Sequence, residues 1–203
     1  MRKIKIKEIV CIIGLLGTLT AHSQNTVWQI GNKDNSAKEF KFYKNDYRNY
    51  INDVYLYEVG RNHSADFPYF LPGPSDVWAG GISGQAVIGF SLAEAPSPTT
   101  QIQLRLLFAE THPSSPPRLE VRLNSFEKSI QTPEGTNPEY LNTKETVSKE
   151  LSVTLDIPAD EFRAGNNTLT IQSISGSWVA FDQIKQASAA RHRKNGLRRS
   201  VSN

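Results

Sequence analysis

From Thr26 onward the apolar residues recur at every second position, and that period decides what the chain can fold into. Gln85–Leu92, Gln101–Phe108, Arg118–Asn124, Leu151–Ile157 and Thr168–Ile174 alternate apolar with polar side chains, and Trp178–Ile184 is a shorter run of the same kind. Alternation buries one strand face and wets the other, the pattern of an antiparallel sheet packed on a second sheet. The runs are separated by turn-forming segments: Glu94–Pro98, His112–Pro117, Thr132–Pro138 and Ala164–Asn167. Proline there removes a ladder donor, while glycine and asparagine accept the backbone of tight turns. No apolar stripe at helical spacing intervenes, which disfavours a doubly wound α/β enzyme. Only Lys44–Asp53 and the single turn Ala159–Phe162 read as short helices. The expected fold is all-β: a two-sheet antiparallel β-sandwich of the jelly-roll, galactose-binding-like kind.

The flanks break this pattern. Met1–Lys7 is basic, Ile9–Leu19 is an apolar run, and Ala21-His22-Ser23 places small residues before Gln24. That order describes a secretory signal peptide, and about 11 apolar residues fall short of the roughly 20 that span a bilayer. Residues 187–203 carry five basic groups, no acid and no alternation, and read as a basic disordered tail. The expected organisation is a signal peptide over 1–23, a sandwich over 24–186 and the tail over 187–203.

Charge narrows the partners. The net +3 is carried by the ends: four basic groups and one acid in 1–23, and five basic groups in the tail. The remaining 14 basic and 19 acidic groups leave 24–186 at −5, with no general attraction to a phosphate backbone. Nucleic acid is not an expected partner, and no membrane span is expected after signal cleavage. The single Cys11, inside the apolar run, excludes a disulfide scaffold or a multi-cysteine zinc site. Nucleophile-elbow, P-loop, zincin and dinucleotide-binding signatures are missing. His112 and His192 have no evident nucleophile partner; His63 alone stands near acids and aromatics and reads as a loop histidine over a general base, so no catalytic residue is assigned.

Three segments carry more information: Trp28-Gln-Ile-Gly31 followed by Asp34 and Glu39-Phe40, then Asp66-Phe-Pro-Tyr-Phe-Leu-Pro-Gly-Pro74 running into Trp78-Ala-Gly80, and finally Ser175-Gly-Ser-Trp-Val-Ala-Phe-Asp182. In this order they resemble the third, jelly-roll domain of rhamnogalacturonan lyases of polysaccharide lyase family 4, over about 25–185. The resemblance implies an exported, non-catalytic carbohydrate-binding module for plant cell-wall (pectic) polysaccharide. It also implies a catalytic domain encoded beside it, because the lyase's own catalytic residues have no place in 203 residues. The switch to a basic tail after Lys185 reads as truncation of a longer enzyme. The alternative is a truncated fragment or accessory structural domain of a polysaccharide lyase or glycoside hydrolase.

Sugar rings present C–H faces and a rim of hydroxyls, so aromatic platforms beside polar groups are the residues to seek. Trp78, Tyr69 and Phe70 supply rings in a Pro/Gly-rich loop, with Asp76 beside them, Arg61, Asn62 and His63 upstream, and Asp34 and Asn35 in the first loop. The same aromatics have a packing reading, plugging one end of the sandwich, and Trp28 and Trp178 read as core. No motif requires a cofactor. A structural calcium at Asp182 and Glu39 is the one metal implied by likeness to sugar-binding jelly rolls, and calcium needs further oxygens that a sequence does not display. N-terminal sequencing of exported protein is expected to begin at Gln24 or within a residue or two; recovery of Met1 in mature material would contradict the signal.

Overall fold

The computed structural model describes residues 25–44, 49–50, 54–141 and 150–190. Ten strands follow one another: β1 Asn25–Gly31, β2 Val54–Glu58, β3 Phe70–Pro72, β4 Gln85–Leu92, β5 Thr100–Thr111, β6 Arg118–Leu123, β7 Phe126–Gln131, β8 Leu151–Ile157, β9 Gly165–Ser175 and β10 Trp178–Ala190. They form two five-stranded sheets. One runs β1-β10-β5-β8, with β3 sharing the β1 edge of β10; the other runs β2-β4-β9-β6-β7. The sandwich expected from the alternation is present, and β4 and β8 begin and end where the alternation does. One pairing departs from antiparallel: β2 lies parallel to β4, Leu56 opposite Val87. Among the described residues there is no α-helix, and no helix long and apolar enough to cross a membrane.

The alternation is converted into packing strand by strand. Ala86, Ile88 and Phe90 of β4, Leu119, Val121 and Leu123 of β6, and Leu169 and Ile171 of β9 point inward and are buried, and the residues that alternate with them are less buried. Against them lie Leu104, Leu106 and Phe108 of β5 and Phe181 and Ile184 of β10. At about 25 cal/mol per Å² of apolar surface, each of these Val, Leu, Ile and Phe side chains contributes roughly 1.5–3 kcal/mol relative to exposure.

Alternation fails where a strand is covered on both faces. From Leu106 to Thr111 every residue of β5 is buried, and so is every residue of β10 from Trp178 to Ile184. Part of the cover is the chain after β7. There Glu110, fully buried, accepts hydrogen bonds from Thr136 N–H (3.0 Å), Thr136 Oγ1 (2.9 Å) and Thr111 N–H (3.0 Å). Thr111 Oγ1 donates to the Pro133 carbonyl at 2.6 Å, and Tyr140 stacks on Trp178. A carboxylate so supplied with donors can be buried without an ion pair.

The expected helix at Lys44–Asp53 falls largely outside the described residues. Ala159–Phe162 is realised as a 3-10 turn over Ala159–Glu161. β10 runs past the expected end of the sandwich: Ala187 to Ala190 pair with Gln103 to Thr100 of β5. Residues 1–24 and 191–203, the expected signal peptide and most of the expected tail, lie outside the described residues.

Candidate functional site

The expected ligand residues part into three places. Tyr69 and Phe70 are in the core, and this corrects their reading as platforms. Both are fully buried; Phe70 packs on Tyr50 at 5.0 Å and on Tyr69 at 4.9 Å between ring centroids. The second half of the Phe-Pro-Tyr-Phe-Leu-Pro segment becomes β3 and pairs with the start of β10, Tyr69 O accepts Phe181 N–H, and the whole segment is buried.

Asp34 and Asn35 lie in the loop after β1, and Arg61, Asn62 and His63 in the loop after β2. Gly31 N–H donates to Ser64 Oγ at 3.1 Å and so joins the two loops. Arg61 and His63 are exposed, but Asn62 is occupied with its own loop: its Oδ1 accepts Glu58 N–H at 2.8 Å. None of these five residues lines the pocket that holds Trp78.

That pocket lies where β10 begins. The loop after β3, the loop after β5 and the turn before β10 meet there around a cavity of about 170 Å³, lined by Ser75, Asp76, Val77, Trp78, His112, Ser177 and Trp178. Backbone bonds hold the loops together: Ser75 N–H to Gly176 O (2.9 Å), Ser177 N–H to Ser115 O (2.8 Å) and His112 N–H to Trp178 O (3.0 Å). Gly176 is required here. Its φ is +79°, and a Cβ would sit 2.5 Å from Pro117 Cα.

Asp76 shapes the rim. Its Oδ1 accepts the N–H groups of Trp78 (3.1 Å) and Ala79 (3.4 Å), a turn that folds Trp78 outward. Trp78 is 40% exposed and Val77 82%, whereas Asp76 is 2% exposed and its Oδ2 has no hydrogen-bond partner. Burial pushes the Asp76 carboxyl above its ordinary range; the Ala79 and Trp78 amides and the His112 ring pull the other way. His112 stands edge-on to Trp178 at 5.7 Å, and its Nδ1 accepts Ser115 N–H at 3.0 Å. His112, Ser177 and Trp178 escape sequence reading because three separate loops must converge before they share a wall. A cavity of about 330 Å³ lies at the other end of the sandwich, near Thr100 and Ile157, but no aromatic ring lines it.

A family model described as "CBM-like: Polysaccharide lyase family 4, domain III" matches residues 26–185. The chain belongs to that family. No curated protein matches it significantly. Among solved structures, a family 35 carbohydrate-binding module from an environmental isolate is 20% identical with a TM-score of 0.37, over 55% of this chain and 73% of that one. A family 35 module from Cellvibrio japonicus is 10% identical with a TM-score of 0.33, over 54% and 72%. An exo-β-1,3-galactanase from Phanerochaete chrysosporium, solved with galactose, is 17% identical with a TM-score of 0.30, over 50% of this chain and 20% of the enzyme. The match over 26–185 shows the resemblance to domain III of the family 4 lyases, and the two-sheet fold described above is the β-sandwich expected with it.

The acidic pair considered for calcium is arranged differently from expectation. Asp182 is fully buried beside the loop after β1, and its Oδ1 accepts the N–H groups of Asp34 and Ser36, both at 3.1 Å. Its Oδ2 has no hydrogen-bond partner. Glu39 Oε1 accepts Asn32 N–H at 2.7 Å in the same loop. Among the described residues no three acidic, histidine or cysteine side chains converge as a ligand set. Two adjoining carboxylates and an orphaned buried oxygen are nonetheless hard-oxygen chemistry of the kind calcium takes, with carbonyls and water completing its six to eight ligands.

Burial pushes the Asp182 carboxyl from 3.8 up to about 6; the Asp34 and Ser36 amides oppose this, and the Asp34 charge adds to it. A carboxyl raised on folding stabilises fully below its unfolded pKa, and that contribution is lost as pH rises through about 6. In chelator-containing buffer, the unfolding free energy should therefore gain about 1–3 kcal/mol from this group between pH 7.5 and pH 4. Asp182→Asn keeps the Oδ1 acceptor and removes the charge, so its denaturant midpoints should lack that part of the slope; parallel slopes for both proteins would refute the assignment.

Proposed function

We propose that this chain is an exported, non-catalytic carbohydrate-binding module that holds plant cell-wall (pectic) polysaccharide at the pocket under Trp78. The observation that carries the proposal is the half-exposed Trp78 ring, held out by Asp76 beside a cavity that also contains His112 and the edge of Trp178. A sugar stacks its C–H face on such a ring, and the polar groups of the rim orient its hydroxyls. Membership of the CBM-like domain III family supports the sugar class. The expected signal peptide supports export to the periplasm or beyond.

A second reading, an accessory domain that packs against a catalytic partner, is favoured by Val54 and Leu56. They lie on the outer face of edge strand β2, with Leu56 74% exposed. The two readings part at Trp78. Trp78→Ala should weaken binding to pectic polysaccharide in affinity electrophoresis by about 1–3 kcal/mol, as for an aromatic anchor at an interface. The unfolding midpoint should stay close to that of the parent, whereas a fully buried Trp would cost about 3–5 kcal/mol. Unchanged binding, or a fall in stability of the larger size, assigns Trp78 to packing and favours the accessory domain.

The calcium expected at Asp182 and Glu39 belongs to the same proposal, with Asp34 as a further carboxylate beside Asp182 and the ion neutralising the Asp182 charge that burial otherwise opposes. Millimolar calcium should raise the Tm of the parent protein above its value in chelator, and Asp182→Asn should abolish the difference. An equal Tm with and without calcium would remove the metal from the account.

A further inference from the structure

We propose that the pocket under Trp78 accepts an uncharged sugar unit, neutral or methyl-esterified, and rejects a free uronate. The proposal rests on the reading of this pocket as the polysaccharide site and names the kind of unit it takes. Of the seven residues that line the cavity, only Asp76 is ionisable besides His112, and neither arginine nor lysine is among them. The His112 ring acts on the Asp76 carboxylate only through space: its Nδ1 is taken up as acceptor for Ser115 N–H at 3.0 Å, and no hydrogen bond joins it to Asp76 among the described residues.

The charge on Asp76 is therefore uncompensated by any ion pair among the described residues. Oδ1 is met only by two amide N–H groups and Oδ2 by none, and the residue is 2% exposed. Water screens such a buried charge poorly, so a second carboxylate entering the cavity would feel it at reduced dielectric. Lys44, whose Nζ lies over the Tyr140 ring at 4.7 Å, is not part of the lining. The remaining walls are Val77, Trp78, Trp178 and two serines. They suit the C–H face of a ring and an ester methyl, with hydroxyls at the rim. At about 170 Å³ the cavity is below the roughly 300–1,000 Å³ of pockets that enclose drug-sized ligands, so one unit of a chain is what it can enclose.

The test uses two probes on one backbone, polygalacturonate and the same polymer methyl-esterified, with galactan as a neutral third; the charge variants below separate the effect of the charge from that of the ester methyl. Affinity electrophoresis or calorimetry at low ionic strength should give the parent roughly tenfold tighter binding to the esterified polymer than to polygalacturonate. Asp76→Asn retains the Oδ1 cap and removes the charge, so the ratio of the two affinities should fall to about threefold or less. Val77→Lys places the opposite charge on the exposed rim without touching the cap and should shift the ratio in the same direction, even where Asp76→Asn folds poorly. Trp78-dependent binding of polygalacturonate that equals or exceeds that of the ester would overturn the inference and leave the polysaccharide site standing. An unchanged ratio in both charge variants would overturn it as well. Binding that ignores Trp78 for all three probes would instead overturn the site, and the inference with it.

Discussion

Strand β10 is thirteen residues long and pairs along both edges for most of that length, and on one side two short strands share it. β5 pairs with it from Val179 to Ala190 on one edge, with register shifts on either side of Phe181. On the other, β3 pairs with Trp178–Ala180 and β1 with Gln183–Ser188, which leaves Phe181 and Asp182 facing a gap between two strand ends. A buried gap in a ladder is costly unless its polar groups find other partners. Phe181 N–H donates to Tyr69 O at 2.7 Å, and the Asp182 carboxylate takes the Asp34 and Ser36 amides. The loop after β1 is thus fastened to the middle of the central strand by a side chain, where the sheet supplies no backbone partner.

Gly31 shows how tight that arrangement is. It ends β1 at φ +79°, and a Cβ there would meet the Phe40 ring at 2.4 Å and the Asp182 carbonyl at 2.5 Å. The chain can leave the sheet at that point only as glycine, and it then turns directly over Asp182. Phe40, carried inward by the same loop, packs on Phe67, which packs in turn on Phe181. One strand break therefore organises a loop, a buried carboxylate and a run of aromatic contacts.

The pocket depends on the same strand at its first residue. Trp178 is buried between Tyr140 and His112, and around it three loops are tied by backbone bonds into one wall. A rigid sheet end lets an exposed ring such as Trp78 be held without the entropy of ordering a free loop upon binding. The two buried carboxylates at the edge of this strand and beyond its start have different surroundings. Asp182 has a second carboxylate, Asp34, beside it, and its Oδ1 takes two loop amides. Asp76 has Trp78, Trp178, Val77 and His112 around it, and its Oδ1 takes the two amides of its own turn.

By itself the sequence determined the sandwich, because a period of two cannot be packed as a helix and because proline, glycine and asparagine mark where the strands stop. It determined the family through the order of its Trp-, Phe-Pro- and Ser-Gly-Ser-Trp-bearing segments, and it singled out Trp78 and Asp76. It did not reveal β2, β3 or β7: β3 spans three residues, and the burial of β7 does not alternate. Only the tertiary structure decided which aromatics are core and which face solvent. Tyr69, Phe70 and Trp78 look alike in a Pro/Gly-rich stretch, and their burial depends on β10 pairing with the first two while a turn capped by Asp76 carries the third outward. The same holds for His112 and Ser177, which are 65 residues apart in sequence number and meet because three loops converge at one end of the sheets. Local pattern determines what a segment becomes; which segments meet depends on how the strand edges are satisfied.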